Sequence, residues 1–268
     1  MLDIMRHRDK RRFKMKYYYE DLDGFWGELD ASFYSKMVKR FNSGSHFVEV
    51  GSFKGKSSSC MAEEIINSGK DIRFDCVDTW EGSEEHYKGG VAEDNNVVTG
   101  DLFQVFLKNI EPFLDVINPF RLPSKEASKL YDEESLDFVF IDAAHDMRNV
   151  LTDVRSWAPK VKKGGIIAGH DYGGGHTGVT DAVDLYFRDI LQVEVQVFEE
   201  SSCWFIEKNF DNPTEDRIDE VWKERLRACG ELMKISTLIE IKSIEEMKRE
   251  KEKKKKERII LWKAEDND

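Results

Sequence analysis

Several features that would settle a protein's class are missing from this sequence. No run of 18 apolar residues occurs in its 268 positions, so no segment reads as a membrane span. Residues 1–16 are basic but lack the apolar core of a secretory signal. The four cysteines, Cys60, Cys76, Cys203 and Cys229, are scattered and lack metal-ligand spacing. They read as reduced thiols of a cytoplasmic protein. There is no internal repeat and no heptad run long enough for a dimerisation arm. Positive charge is short as well. The net charge is −12, with +5 on residues 1–16, +4 on 242–258 and −2 on 259–268, which leaves −19 on residues 17–241. So acidic a body is a poor match for a nucleic-acid backbone, and any nucleic acid would have to meet the basic tails.

What remains points to a globular fold. Hydrophobic residues make up 40% of the chain, enough for a sizeable core. The stretch 46–57, His-Phe-Val-Glu-Val-Gly-Ser-Phe-Lys-Gly-Lys-Ser, is the most telling. An apolar strand ends in Glu49, a turn bounded by Gly51 and Gly55 follows, and a helix is predicted from Ser57 to Asn67 with Gly69 as its C-cap. Glycines let the backbone approach a ligand where a Cβ would collide. A phosphate loop needs four residues between its glycines, and only three stand here; a dinucleotide turn needs glycine where Phe53 stands. S-adenosylmethionine (SAM) carries no phosphate and two positive groups, so it tolerates both the short turn and the acid. A second strand, 72–78, ends in Asp78, placed to hold two ribose hydroxyls. A plain strand-to-helix turn and a strand-end carboxylate are the duller alternatives.

The rest of the chain keeps alternating. Strands are predicted at 116–122, 136–142 and 165–169. Helices are predicted at 147–157 and 179–191. Strands 193–198 and 203–207 are joined by four residues and so pair antiparallel. The predicted fold is α/β: a Rossmann-like, mostly parallel seven-stranded sheet with a terminal antiparallel hairpin and helices on both faces. The domain reading is a helical flank over 1–43, a SAM-binding domain over 44–208 and a helical, charged extension over 209–268. The Lys/Glu run from Lys248 to Arg258 reads as a solvated helix. Residues 79–100 read as an insertion that closes over a site, with Trp80 and Tyr87 suited to stacking on a ring.

In order and spacing, Glu49-Val-Gly51-Ser-Phe-Lys-Gly55, Val77-Asp78-Thr79-Trp80, Ser135 to His145, and Trp157-Ala-Pro159 with Lys163 to Tyr172 resemble the class I SAM-dependent methyltransferases. The branch they resemble includes sugar and small-molecule O-methyltransferases, over about residues 44–208. The resemblance implies that Gly51, Ser52 and Gly55 lie against the methionine part of SAM. It implies that Glu49 orients the turn or the amino group, that Asp78 holds the ribose, and that Ser124 and Glu126 contact adenine. Asp142 ends the fourth strand at the edge where ligands bind. Metal-dependent members place an acid after the fourth strand and an acidic or amide pair after the fifth. Asp142 and Asp171 match and His170 departs, so a divalent ion such as Mg²⁺ is expected on Asp142 and Asp171 with His170 nearby. His145, three residues past Asp142, is expected to be the general base, with a pKa near 7.

The expected function is methyl transfer from SAM to a hydroxyl of a small acceptor, a saccharide or glycosylated metabolite first. An amine acceptor, a non-catalytic SAM-binding protein on the same fold, and a homo-oligomeric assembly stay open.

Overall fold

Glu49, Phe47 and their alternating neighbours set the centre of the molecule. In β1 (His46–Val50), Phe47 and Glu49 point to one face of the sheet and Val48 and Val50 to the other, as the two-residue repeat of a strand requires. All four are buried. The same division runs through β2 (Arg73–Asp78), β4 (Leu136–Ile141) and β5 (Val161–Gly169), so both faces need helical cover. The computed structural model describes residues 17–198, 201–214, 216–218, 220, 221, 223–225 and 227. The basic segment 1–16, Cys229 and the Lys248–Arg258 run lie outside the described residues.

Among the described residues the sheet has seven strands, in the order β3-β2-β1-β4-β5-β7-β6. Strands β1 to β5, with β3 at Ile117–Arg121, pair in parallel. Strand β7 (Trp204–Glu207) runs antiparallel to β5 and pairs with the two-residue β6 (Gln196–Val197). The expected topology is therefore present. Between β1 and β4 the strand order reverses direction, which opens a crevice at the carboxyl ends of the strands.

One face is covered by α1 (Glu28–Arg40) and α2 (Lys56–Ser68), which pack on each other. Phe33, Tyr34, Met37 and Val38 of α1 meet Phe47, Phe138 and Phe140 of the sheet. The expectation for the flank is helix over 1–43. Instead a 3₁₀ turn (Tyr18–Asp21) precedes a break at 22–27, where Gly24 takes φ +143°. Helix α2 runs from Lys56 to Ser68 between left-handed Gly55 and Gly69. The other face carries α6 (Met147–Trp157), capped by the Asp146 side chain on Asn149 N–H, and α7 (Thr177–Val183), which continues as a π-helix over Asp184–Ile190. Shorter helices are α3 (Asn95–Thr99), α4 (Leu102–Asn109) and α5 (Ser124–Ser128).

The chain divides into two units, Met1–Asn212 and Pro213–Asp268. The first contains the whole sheet and the described part of the N-terminal flank. In the second, Thr214 starts a helical turn by accepting the Ile218 N–H on its carbonyl, and Arg217 pairs with Glu220 at 3.0 Å. No described helix is long and apolar enough to cross a membrane. Cys60, Cys76 and Cys203 are buried free thiols.

Candidate functional site

The turn after β1 is pinned from two sides. Gly51 has φ +91°, and a Cβ there would lie 2.0 Å from the Asp142 carbonyl oxygen, because the ends of β1 and β4 come together. Only glycine fits. Asp78, at the end of β2, accepts the N–H groups of Ser52 and Phe53 on Oδ2, each at 2.9 Å, and that of Trp80 on Oδ1 at 2.7 Å. A carboxylate offers about four lone-pair sites, so most of its capacity already holds the turn. Glu49 lies beneath. Its buried carboxylate accepts the hydroxyls of Tyr34 (2.9 Å), Ser52 (2.8 Å) and Ser58. Burial pushes its pKa up while these hydroxyls act the other way. Glu49 thus orients the turn from inside the protein and is not on a cavity wall. Phe53 is held at φ +44°, a costly conformation for a non-glycine. Its carbonyl accepts Trp80 Nε1–H at 2.9 Å and its ring stacks on His86 at 5.1 Å.

Above this turn opens a cavity of about 710 Å³, at the size of small-molecule sites. Gly51, Ser52, Asp78, Ser124, Asp142 and His145 all line it, and His170 and Asp171 lie on the same wall. Glu126 does not. Two positions after Ser124 on the short α5, it faces away, is half exposed and pairs with Lys129 at 2.6 Å. Asp153 takes its place as the acid at that end. It is buried on α6, lines the cavity beside Ser124, and burial pushes its pKa to about 6. The Ser124 hydroxyl accepts Trp157 Nε1–H at 2.9 Å.

At the opposite end, carboxylates and imidazoles interleave. The two nitrogens of His145 face Glu85 Oε1 (Nδ1, 2.7 Å) and Asp171 Oδ2 (Nε2, 3.0 Å), and its ring lies 4.2 Å from that of His176. His170 Nδ1 points at Asp171 Oδ1 (3.2 Å) and Asp142 Oδ1 (4.0 Å), while its Nε2 faces Ser202 Oγ (3.0 Å) and Asp30 Oδ1 (3.4 Å). The hydrogen bond to Asp171, against the opposing effect of burial, raises His145 to about 9. For His170 burial also opposes the charge, but hydrogen bonds to Asp171 and Asp30 and the charge of Asp142 raise it to about 11. Asp171 is held well below the usual carboxylate range: burial opposes this, and hydrogen bonds from both imidazoles prevail. Asp142 goes the other way. Burial raises it to about 7, against the pull of His170.

The expected pKa near 7 is therefore found on Asp142 and not on His145, because two carboxylates keep the imidazole protonated. The oxygen-donor magnesium site is also altered. Asp142, His170 and Asp171 each offer a ligand atom within 4.8 Å of the others. The third donor is a nitrogen, where the metal-dependent pattern has a carboxylate or amide oxygen. Mg²⁺ takes oxygen donors at about 2.0–2.1 Å in near-octahedral geometry, so this donor set does not suit it.

The 79–100 insertion lies across the site. Trp80 is not free to stack on a ligand: it is buried against Phe103 and Phe106. Tyr87 is half exposed and bonds the Glu81 carbonyl. Lys54, on the turn itself, bridges Asp23 of the flank and Asp94 of the insertion, both at 2.6 Å. The sequence reading missed Glu85, Asp30 and Asp153. For Asp153 a signal was present, since it interrupts the apolar stripe Val150, Val154, Trp157. Glu85 and Asp30 carry none, being brought in from distant segments.

Residues 48–172 match the family model described as a methyltransferase domain. Over 126 residues the chain is 24% identical to an uncharacterized protein, y4gI, of Sinorhizobium fredii (strain NBRC 101917 / NGR234); this covers 46% of the chain but 13% of that relative's length. Among solved structures, the O-methyltransferase NovP superposes with a TM-score of 0.54 at 17% identity, over 68% of this chain and 80% of its own. The calicheamicin methyltransferase CalS11 does so with a TM-score of 0.50 at 12% identity, over 68% and 78%. At such identities the likeness is one of fold.

Proposed function

We propose that the protein is a class I SAM-dependent methyltransferase, a reading supported by the match of residues 48–172 to a methyltransferase domain, and that it methylates a hydroxyl of a small, uncharged or cationic acceptor, a saccharide or glycosylated metabolite first. One observation carries this reading: a carboxylate with a pKa of about 7 and an imidazolium stand on the same wall of the cavity, at its acceptor end. Acids outnumber unpaired bases along that wall, which favours the cationic cofactor and disfavours phosphorylated acceptors.

SAM supplies the methyl group from its sulfonium, which leaves as a thioether. On this reading Gly51 and Ser52 give the methionine part a close backbone surface. The remaining acceptor site of Asp78 meets the ribose, and Ser124 with Asp153 bounds the adenine end. Asp142 accepts the hydroxyl proton as the oxygen attacks, a task for which a pKa near the working pH is best. The His145 imidazolium, with one N–H on Glu85 and the other on Asp171, sets its positive charge beside the oxygen as negative charge builds there. Orientation within the cavity supplies much of the rate. No step is routed through a metal ion.

The test is turnover of SAM against a panel of sugars, glycosides, phenols and amines, with the methylated product identified by mass and by linkage. Methylated hydroxyls are expected, at a rate unchanged by exhaustive chelation. Methylation of amines alone would overturn the acceptor assignment, and SAM binding without turnover of any acceptor would favour a binding protein. A rate lost on chelation and restored by a divalent ion would put an ion back on Asp142 and Asp171.

A further inference from the structure

Three strand-end loops converge on one imidazole. His145 follows β4 and Asp171 follows β5, and both loops are anchored in the sheet. Glu85 comes from elsewhere, sixty positions earlier, in the 3₁₀ turn Glu84–His86 of the 79–100 insertion. Between Trp80 and Val97 no described residue of that insertion is buried. Polar contacts and one ring stack hold it instead: Glu85 on His145, Lys54 on Asp94, the Asp94 N–H on the His86 carbonyl, and His86 on Phe53. A segment anchored by apolar residues only at its two ends, with a few polar contacts between, opens at lower free-energy cost than one packed into the core. Gly82, at φ +79°, follows the first anchor.

We propose that Glu85 is a positioning residue carried by the insertion: it fixes the His145 ring, so that the acceptor side of the site is complete only when the insertion lies across the cavity. The inference rests on the role given to His145 above. Without Glu85, Asp171 grips the ring at Nε2 and His176 packs on its face, but no hydrogen-bond partner holds the Nδ1 edge of a side chain 23% exposed. With Glu85 in place, Nδ1 donates to a second carboxylate and the ring plane is set by two contacts on opposite edges. Such outer carboxylates commonly orient a working histidine. The arrangement would tie methyl transfer to exclusion of water, since the residue that completes the site is part of what covers it.

The experiment compares Glu85→Ala and Glu85→Gln with the parent in three measurements: SAM affinity by calorimetry, kcat and KM for the acceptor, and the downfield proton resonance of the His145 Nδ1–H. Glu85→Ala is expected to lose that resonance and to lower kcat about 10- to 100-fold, with SAM affinity unchanged. Glu85→Gln keeps a carbonyl oxygen for the Nδ1–H and should recover the resonance and most of kcat. An alanine variant with parental kcat, or a retained resonance, would overturn the proposal. So would a loss of SAM affinity that parallels the loss of rate, since that marks a structural role. If the parent itself binds SAM but methylates nothing, the functional reading fails, and the resonance alone still decides whether Glu85 fixes the ring.

Discussion

Asp142 and His145 stand three positions apart in sequence and carry opposite protonation demands. On the proposed mechanism Asp142 must be ionised and His145 protonated. kcat/KM should therefore rise as pH passes about 7 and fall as it passes about 9, a bell with its top between. A single rising limb through 6.5 would instead return the base role to a free histidine. Asp142→Asn should lower kcat about 10²- to 10⁴-fold at pH 8 and leave calorimetric SAM affinity close to the parent's. His170 gives a separate, structural signature. Its folded pKa, about 11, lies above the ordinary histidine value, so its contribution to stability is complete below about 6.5 and fades as pH climbs toward 11. Asp171 has the opposite sign: depressed when folded, it stabilises above about 3.9 and loses that effect as pH falls. Thermal midpoints across pH should fall on both sides of a plateau, and His170→Asn should flatten the alkaline fall. Most of these residue positions were legible in the sequence, because acids and histidines at strand ends stand out. Their protonation was not, since it depends on Glu85 and Asp30, which spacing along the chain does not bring near.

Among the elements, the β1–α2 turn and helix α2 are where sequence and structure agree most closely, because Gly51, Gly55 and the C-cap Gly69 each answer a backbone need that one residue type meets. Asp78 shows the limit of such reading. As an acid after the second strand it was assigned to a ligand, yet it spends three hydrogen bonds on the Ser52, Phe53 and Trp80 amides. Asp78→Ala should therefore lower the melting temperature as well as weaken SAM binding, by about 1–3 kcal/mol for each buried donor set left unmade. A variant weakened only in binding would restore the simple ligand role. Helix α4, the break at 22–27 and the π-helical continuation of α7 were not legible; they follow from packing on the sheet and not from local pattern. Lys54 links three elements through two carboxylates. Lys54→Met should release the insertion, read as faster proteolytic cleavage within 79–100 and a higher KM for the acceptor.

Over the whole molecule, the site is a consequence of topology. Reversal of strand order between β1 and β4 opens the crevice that Gly51 and Asp142 border, and the alternating pattern of strands and helices was enough to foresee it. Binding there should be felt globally: SAM at 100 times its dissociation constant should stabilise the fold by about 2.7 kcal/mol, seen as a raised melting temperature, with ATP and NAD giving none. The two outer strands carry a consequence of another kind. One edge is β3, which has Pro119 at its centre and exposed Asn118 and Arg121; the other is β6, two residues long. A proline offers no amide proton, and a two-residue strand offers almost no ladder. A sheet ended in this way gives a neighbouring copy little to zip onto. The barrier to fibrous self-association is thus built into the margins of the same sheet whose middle forms the pocket.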